Sequence, residues 1–178
     1  MAVVGITFNL KGESPEDGEP PDSHAELDSE STINAVAEAL KAYGHDVYLI
    51  EGNDTAYLKL RSHRLDIVFN MSEGIRGESR ESHIPAMLEM LGIPYTGSGP
   101  LTLAVTLDKP MTKKILAYHG IPTAKFKVFD LDSAVDARGL SFPVFVKPAL
   151  EGSSMGIATS CHCDNLAELR AEVKRLMT

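Results

Sequence analysis

The residues best suited to chemistry lie in three short stretches. Phe142-Pro-Val-Phe-Val-Lys147-Pro148 reads as a strand that ends on a lysine, and Gly152-Ser-Ser-Met-Gly156 follows it as a small flexible loop. An ammonium at a strand end neutralises phosphate oxygens, while glycine and serine let backbone N–H groups and hydroxyls close over them. Lys147, Gly152, Ser153, Ser154 and Gly156 are therefore candidate phosphate contacts. The same pattern also describes an edge-strand lysine followed by a Gly-Ser hairpin turn. In the second stretch, Asp108-Lys109-Pro-Met-Thr-Lys113-Lys114, Lys109 and Lys113 sit one turn apart on one helix face, toward an anionic ligand or toward solvent. The third runs from Asn70 through Glu73-Gly74, Arg76-Gly77-Glu78 and Arg80-Glu81, and reads as a substrate loop or a polar crossing.

Several chemistries are excluded or disfavoured. Gly-x-Gly-x-x-Gly does not follow the first strand and Gly-Lys-Ser/Thr does not occur, so neither a dinucleotide fingerprint nor a P-loop is present. Cys161-His162-Cys163 lacks the ligand spacing of a zinc site, and no metal site is expected in this chain. Ser153 and Ser154 have no neighbouring His–Asp signature for hydrolysis.

The elements that must position these residues follow from hydrophobic period and punctuation. Val3–Phe8 reads as a first strand, residues 47–50 as a second and 65–69 as a third. A helix opens at Ser31, with Ile33, Val36, Ala37, Leu40 and Tyr43 on one face, and stops at Gly44. A second helical stretch spans 56–63. Strands and helices alternating at this spacing predict an α/β fold with a parallel, Rossmann-like sheet, whose ligand sites lie beyond the carboxyl ends of the strands. A helix over 82–91, a fourth strand over 93–96 and two helices split at Asp108 complete the first part. Beyond Gly120, residues 125–129, 142–147 and 157–160 read as strands, and a last helix starts at Asp164 or Asn165 with Glu168 placed for a capping box. The boundary falls near 106–109, giving a Rossmann-like domain over 1–107 and a smaller α+β domain over 108–178.

The chain has 178 residues, 43% of them hydrophobic and 24% charged, enough for a real core. Its net charge of −8 is uneven: residues 11–30 hold eight acids against Lys11, a net of −7. That Pro- and acid-rich stretch reads as a mobile insertion, and the Gly-Ser loop as a second mobile segment. Residues 109–147 carry a net of +4, too little for the broad basic face that nucleic acid needs but compatible with a small anion. No apolar run approaches the roughly 20 residues of a bilayer span. Met1–Phe8 carries no basic signal-peptide region, and two cysteines beside seven methionines fit a reducing cytoplasm.

Together the motifs resemble a known family. Val68-Phe-Asn70, Ile93-Pro-Tyr-Thr-Gly-Ser98, Asp108-Lys109 with Thr112-Lys113, Gly120-Ile-Pro122, and Phe142 to Pro148 with Gly152 to Gly156 occur in the order and spacing of D-alanine–D-alanine ligases, of the ATP-grasp superfamily. The likeness covers roughly 65–160 closely and the first 50 residues more loosely. It implies an enzyme that activates a carboxylate with ATP as an acyl phosphate, which an amine then attacks, a reaction of peptidoglycan synthesis. It implies that Lys109 and Lys147 contact nucleotide phosphates and that the Gly-Ser-Ser loop, led by Ser153, closes over them. The domain over 108–178 would then be the first ATP-grasp subdomain.

The family's His-Gly and Gly-Glu-Asp-Gly positions here read Glu73-Gly74 and Gly77-Glu78-Ser79-Arg80. Glu26 is the nearest candidate for the first-loop glutamate that orients the first amino acid; Glu73 and Arg80 are further substrate candidates. The family's third domain, with its Mg²⁺-binding acids, is expected beyond residue 178, so this chain alone is expected to turn over ATP negligibly. The partner implied is a small amino acid or carboxylate, with no nucleic acid or membrane and with a homodimer left open. A non-catalytic nucleotide- or amino-acid-binding module is the alternative.

Overall fold

Val, Ile and Thr make up most of the first strand, β1 (Val3–Phe8), and five of its six residues are buried. A strand so enclosed must satisfy its polar groups on both edges. It pairs in parallel with β2 (Asp46–Glu51) on one side and β3 (Ile67–Asn70) on the other, in the order β2-β1-β3. This is a computed structural model that describes residues 1–12 and 20–177, in two compact units, Met1–Leu107 and Asp108–Thr178. Among the described residues, no helix is long and apolar enough to cross a membrane.

In the first unit, helices cover both faces of the sheet. On one, Ile33 and Ala37 of α1 (Glu30–Ala42) pack with Ile6 and Phe8. On the other, Ala56 and Leu60 of α2 (Ala56–Ser62) and Ile84 and Leu88 of α3 (His83–Leu91) pack with Ile50 and Val68. The cap of α1 is Ser29 rather than Ser31: its backbone is extended and its Oγ accepts the Thr32 N–H at 3.1 Å. The fourth strand shrinks to a single parallel bridge, in which Val68 N–H reaches Pro94 O at 2.8 Å and Thr96 N–H reaches Val68 O at 2.9 Å. Pro94 has no N–H with which to extend the ladder. Helix α4 (Pro100–Leu107) follows.

The second unit opens with α5 (Lys109–Tyr118), capped by Asp108, whose side chain accepts the Met111 N–H at 2.8 Å. A short antiparallel pair, β4 (Val144–Phe145) with β5 (His162–Cys163), packs Val144 and Cys163 against Leu169 and Val173 of α6 (Leu166–Leu176). Asn165 caps α6, and Glu168 accepts the Asp164 N–H at 2.8 Å.

Strand content here is smaller than the sequence pattern implies. Residues 125–129 form no strand; Lys127 is tied to Asp136 and Phe129 packs into the core, so side chains rather than a ladder hold this stretch. Only two residues of 142–147 are strand, and the return strand is displaced from 157–160 to 162–163. A turn at 158–161, closed by Cys161 N–H on Ala158 O at 3.0 Å, uses up the residues that would have paired. The acidic insertion divides: 13–19 lies outside the described residues, whereas 20–28 forms turns anchored by Asp28 N–H on Asn9 O at 2.7 Å.

Two leucines of α2 test this packing. Leu60 is fully buried and Leu58 is 65% exposed. In urea titrations Leu60→Ala is expected to cost about 2–5 kcal/mol and Leu58→Ala less than about 0.5 kcal/mol.

Candidate functional site

Each unit carries its own cluster of candidate residues. In the first, the chain leaves β1 toward one neighbour and β3 lies on the other side, which makes the carboxyl ends of β1 and β3 the switch point of the sheet. Asn9, buried just past β1, spans this opening: its Oδ1 accepts the Gly74 N–H at 2.8 Å and its Nδ2 donates to Gly52 O at 3.0 Å. Gly74, at φ +82°, is required there, because an added Cβ would lie 2.4 Å from Arg80 O.

This frame brings Glu26 and Arg80, 54 residues apart in sequence, into a nearly buried ion pair at 3.0 Å. Glu73 lies in the same field. Burial, then the charges of Glu81, Glu26 and Asp28, push its carboxyl up to about 7 against the opposing pull of Arg80. Burial also raises Asp28, offset by its hydrogen bond with the Asn9 backbone. Glu26 Oε1, Asp28 Oδ2 and Ser72 Oγ are buried with no hydrogen-bond partner among the described residues. Carboxylate oxygens gathered around one guanidinium suit the ammonium of a small zwitterion. Glu26, Glu73 and Arg80 thus meet at one place. Asn9, Asp28 and Ser72 join them without having been singled out from the sequence; the usable signal was their position directly after, or in the loops following, β1 and β3.

In the second unit, Val144 and Val146 face the core, which sends Phe145 and Lys147 to the other side of the strand. Lys147 is exposed, with Nζ 5.4 Å from the centre of the Phe145 ring. After Pro148 the chain enters two overlapping turns, Met155 N–H on Gly152 O at 2.9 Å and Ile157 N–H on Ser154 O at 3.0 Å. Ser153 and Ser154 are exposed and left-handed, at φ 42° and 63°. Non-glycine residues reach that region at a cost on the order of 1 kcal/mol each. Lys109 approaches the base of this loop: its Nζ donates to Glu151 O, and its backbone N–H to Ala149 O at 3.2 Å. Lys113 turns aside, donating to Thr123 Oγ1 at 2.8 Å with Phe126 beneath it. Lys109 therefore joins the Gly-Ser loop directly, whereas Lys147 is joined to it through the chain.

Cys161 and Cys163 are unpaired and buried, and no group of three or more His, Cys, Asp or Glu among the described residues could hold a metal ion. The donors around the loop are ammonium, hydroxyl and backbone N–H groups, which fit phosphate oxygens.

Comparison with known proteins places the chain beside ligases. Residues 115–178 match the family model described as D-ala D-ala ligase C-terminus. An uncharacterised protein of Sinorhizobium fredii, y4sG, is 37% identical over 155 residues, covering 82% of this chain and 44% of that protein. A D-alanine–D-alanine ligase of Haemophilus ducreyi is 43% identical over 127 residues, 69% of this chain and 41% of the enzyme. The crystal structure of D-alanine–D-alanine ligase from Bacillus anthracis superposes with a TM-score of 0.74 at 24% identity, covering 99% of this chain and 54% of that one. The same enzyme complexed with ATP superposes at 0.68 and 23% identity, covering 99% and 55%. The chain is therefore similar to D-alanine–D-alanine ligases across 69–80% of its own length. It spans less than half the length of these curated relatives.

The raised carboxyl of Glu73 has a consequence for stability. Its folded value, about 7, exceeds the ordinary 4.5, so the folded chain binds more protons between those values and loses stability as pH rises through them. Glu73→Gln is expected to melt with the parent at pH 4.5 and above it at pH 8. Glu73 is half-exposed, so the gain at pH 8 is on the order of 1 kcal/mol after solvent screening. Thermal melts at both pH values check this.

Proposed function

We propose that this chain forms the N-terminal Rossmann-like domain, over 1–107, and the first nucleotide-binding subdomain, over 108–178, of an ATP-dependent carboxylate–amine ligase. The observation that carries the reading is the left-handed Ser153-Ser154 turn, set between the exposed Lys147 and a lysine, Lys109, already on the carbonyl at its base. Phosphoryl transfer asks a protein mainly for positioning and charge neutralisation. Lys109 and Lys147 supply positive charge, Gly152 and Gly156 supply backbone freedom, and Ser153 and Ser154 present hydroxyls and N–H groups to phosphate oxygens. ATP supplies the phosphoryl group that makes a carboxylate reactive toward an amine. Mg²⁺ would be held by residues other than those gathered around this loop.

The first unit takes the substrate side of the reading. Glu26 and Glu73 accept an amino acid's ammonium, and Arg80 sets the position of Glu26 and balances the local charge. D-Alanine, the substrate in the names of the relatives, is such a zwitterion, and the reaction then belongs to peptidoglycan synthesis. The unpaired, buried thiols of Cys161 and Cys163 suit a cytoplasmic setting.

Lys147 and Lys127 give the test, because each belongs to a strand-like run and only one adjoins the loop. Lys127 has a structural task, its pair with Asp136. In the protein at its native length, Lys147→Ala is expected to weaken ATP binding or slow phosphoryl transfer by roughly 2–4 kcal/mol. Lys127→Ala is expected to change it by less than about 0.5 kcal/mol and to lower the melting temperature slightly. Calorimetric titration with ATP, beside thermal melts of both variants, separates lost binding from lost folding; parent-like binding by Lys147→Ala refutes the phosphate site.

A further inference from the structure

One buried ionic group in the second unit has no part in the reading above. Glu172 of α6 is almost wholly enclosed, yet it is charged: two hydrogen bonds from Arg175, Nε at 3.0 Å and Nη2 at 2.6 Å, hold its carboxyl down to about 2 despite burial. Cys161 Sγ adds a third contact to the same oxygen at 3.2 Å. A surface i,i+3 pair needs no such enclosure, and an ion pair inside a protein contributes little net stability. Its geometry matters more than its energy. The same Nη2 reaches across to Gly156 O at 2.8 Å, and Gly156 ends the Gly-Ser loop at φ +73°. A side chain at 156 would meet Pro148 Cγ at 2.9 Å and Leu176 Cδ2 at 3.2 Å. The residue is thus wedged between the chain that follows Lys147 and the last turn of α6.

We propose that Arg175, itself fixed by Glu172, is a positioning residue that holds the trailing end of the 152–156 loop so that Ser153 and Ser154 face nucleotide phosphate. The inference rests on the phosphate-site reading of that loop. Lys109 grips the leading end through Glu151 O and Arg175 grips the trailing end through Gly156 O, so a cation clamps a backbone carbonyl on each side of the turn. With both ends held, closing on phosphate orders only the few residues between them, which lowers the entropy lost on binding. Released at Gly156, the loop would have to order its trailing end as well. Arginine is suited to this position because its planar fork serves the carboxylate and the carbonyl together.

Removing Arg175 alone would strand a buried carboxylate, so the test neutralises Glu172 first. Glu172→Gln, which keeps an acceptor for Arg175, is the reference, and Glu172→Gln with Arg175→Met should bind ATP roughly three- to tenfold more weakly than that reference, less than the full loss of one hydrogen bond from a charged donor. Arg175→Gln, too short to reach Gly156 but still a donor to Glu172, should show the same weakening and serves if the double variant does not fold. Affinities are measured by calorimetric titration with ATP, well below the melting temperature of each variant. A purely structural role would lower melting temperature and leave the affinity of the folded protein unchanged. Lys147→Ala is titrated in parallel. If it weakens binding while the Arg175 variants bind like the parent, the positioning role is wrong and the phosphate site stands; if it also binds like the parent, the phosphate-site reading itself has failed.

Discussion

A strand buried on both faces cannot leave its edges bare, and β1 is such a strand. Its two neighbours satisfy it in parallel, and parallel neighbours require crossovers, which α1 and α2 supply while covering opposite faces. The order β2-β1-β3 then places the loops after β1 and β3 side by side at one end of the sheet. The meeting of Glu26 with Arg80, and the crowding of acids that raises Glu73, follow from that adjacency. Asn9 stabilises the junction by bonding to both flanking loops.

The second unit solves a different problem with fewer strands. Its loop takes a left-handed path through two serines, a conformation that persists only when its surroundings over-determine it. Two internal turn hydrogen bonds, Lys109 at one end and Arg175 at the other, do so here. The consequence is a turn with exposed hydroxyls and a fixed base, which is the form a phosphate-binding loop needs.

Legibility followed range. Signals decided within a few residues were readable: Asp108 caps α5, Asn165 caps α6 and the stripe of Ile33 and Ala37 faces the core, although Glu168 accepts the Asp164 N–H instead of closing a capping box on the Asn165 backbone. Features that depend on distant partners were not. Residues 125–129 have the composition of a strand, but a strand also needs a neighbour, and this stretch is held by Lys127 and Phe129 instead. Glu26 and Arg80 could each be named as candidates, whereas their pairing depends on β1 and β3 lying together. Arg175 escaped notice because an i,i+3 Glu–Arg pair on a helix looks the same in sequence whether or not the arginine's far end reaches a loop.

We propose that the turn over 152–156 receives nucleotide phosphate. Amide hydrogen exchange of the protein at its native length, with and without ATP, tests it most directly. ATP should slow exchange at Ser153, Ser154 and the residues flanking them, with a smaller effect at Lys109 and none in α2, whose Leu60 belongs to the other unit's core. Exchange over 147–157 that is identical with and without ATP, under conditions where the nucleotide is bound, would contradict the account.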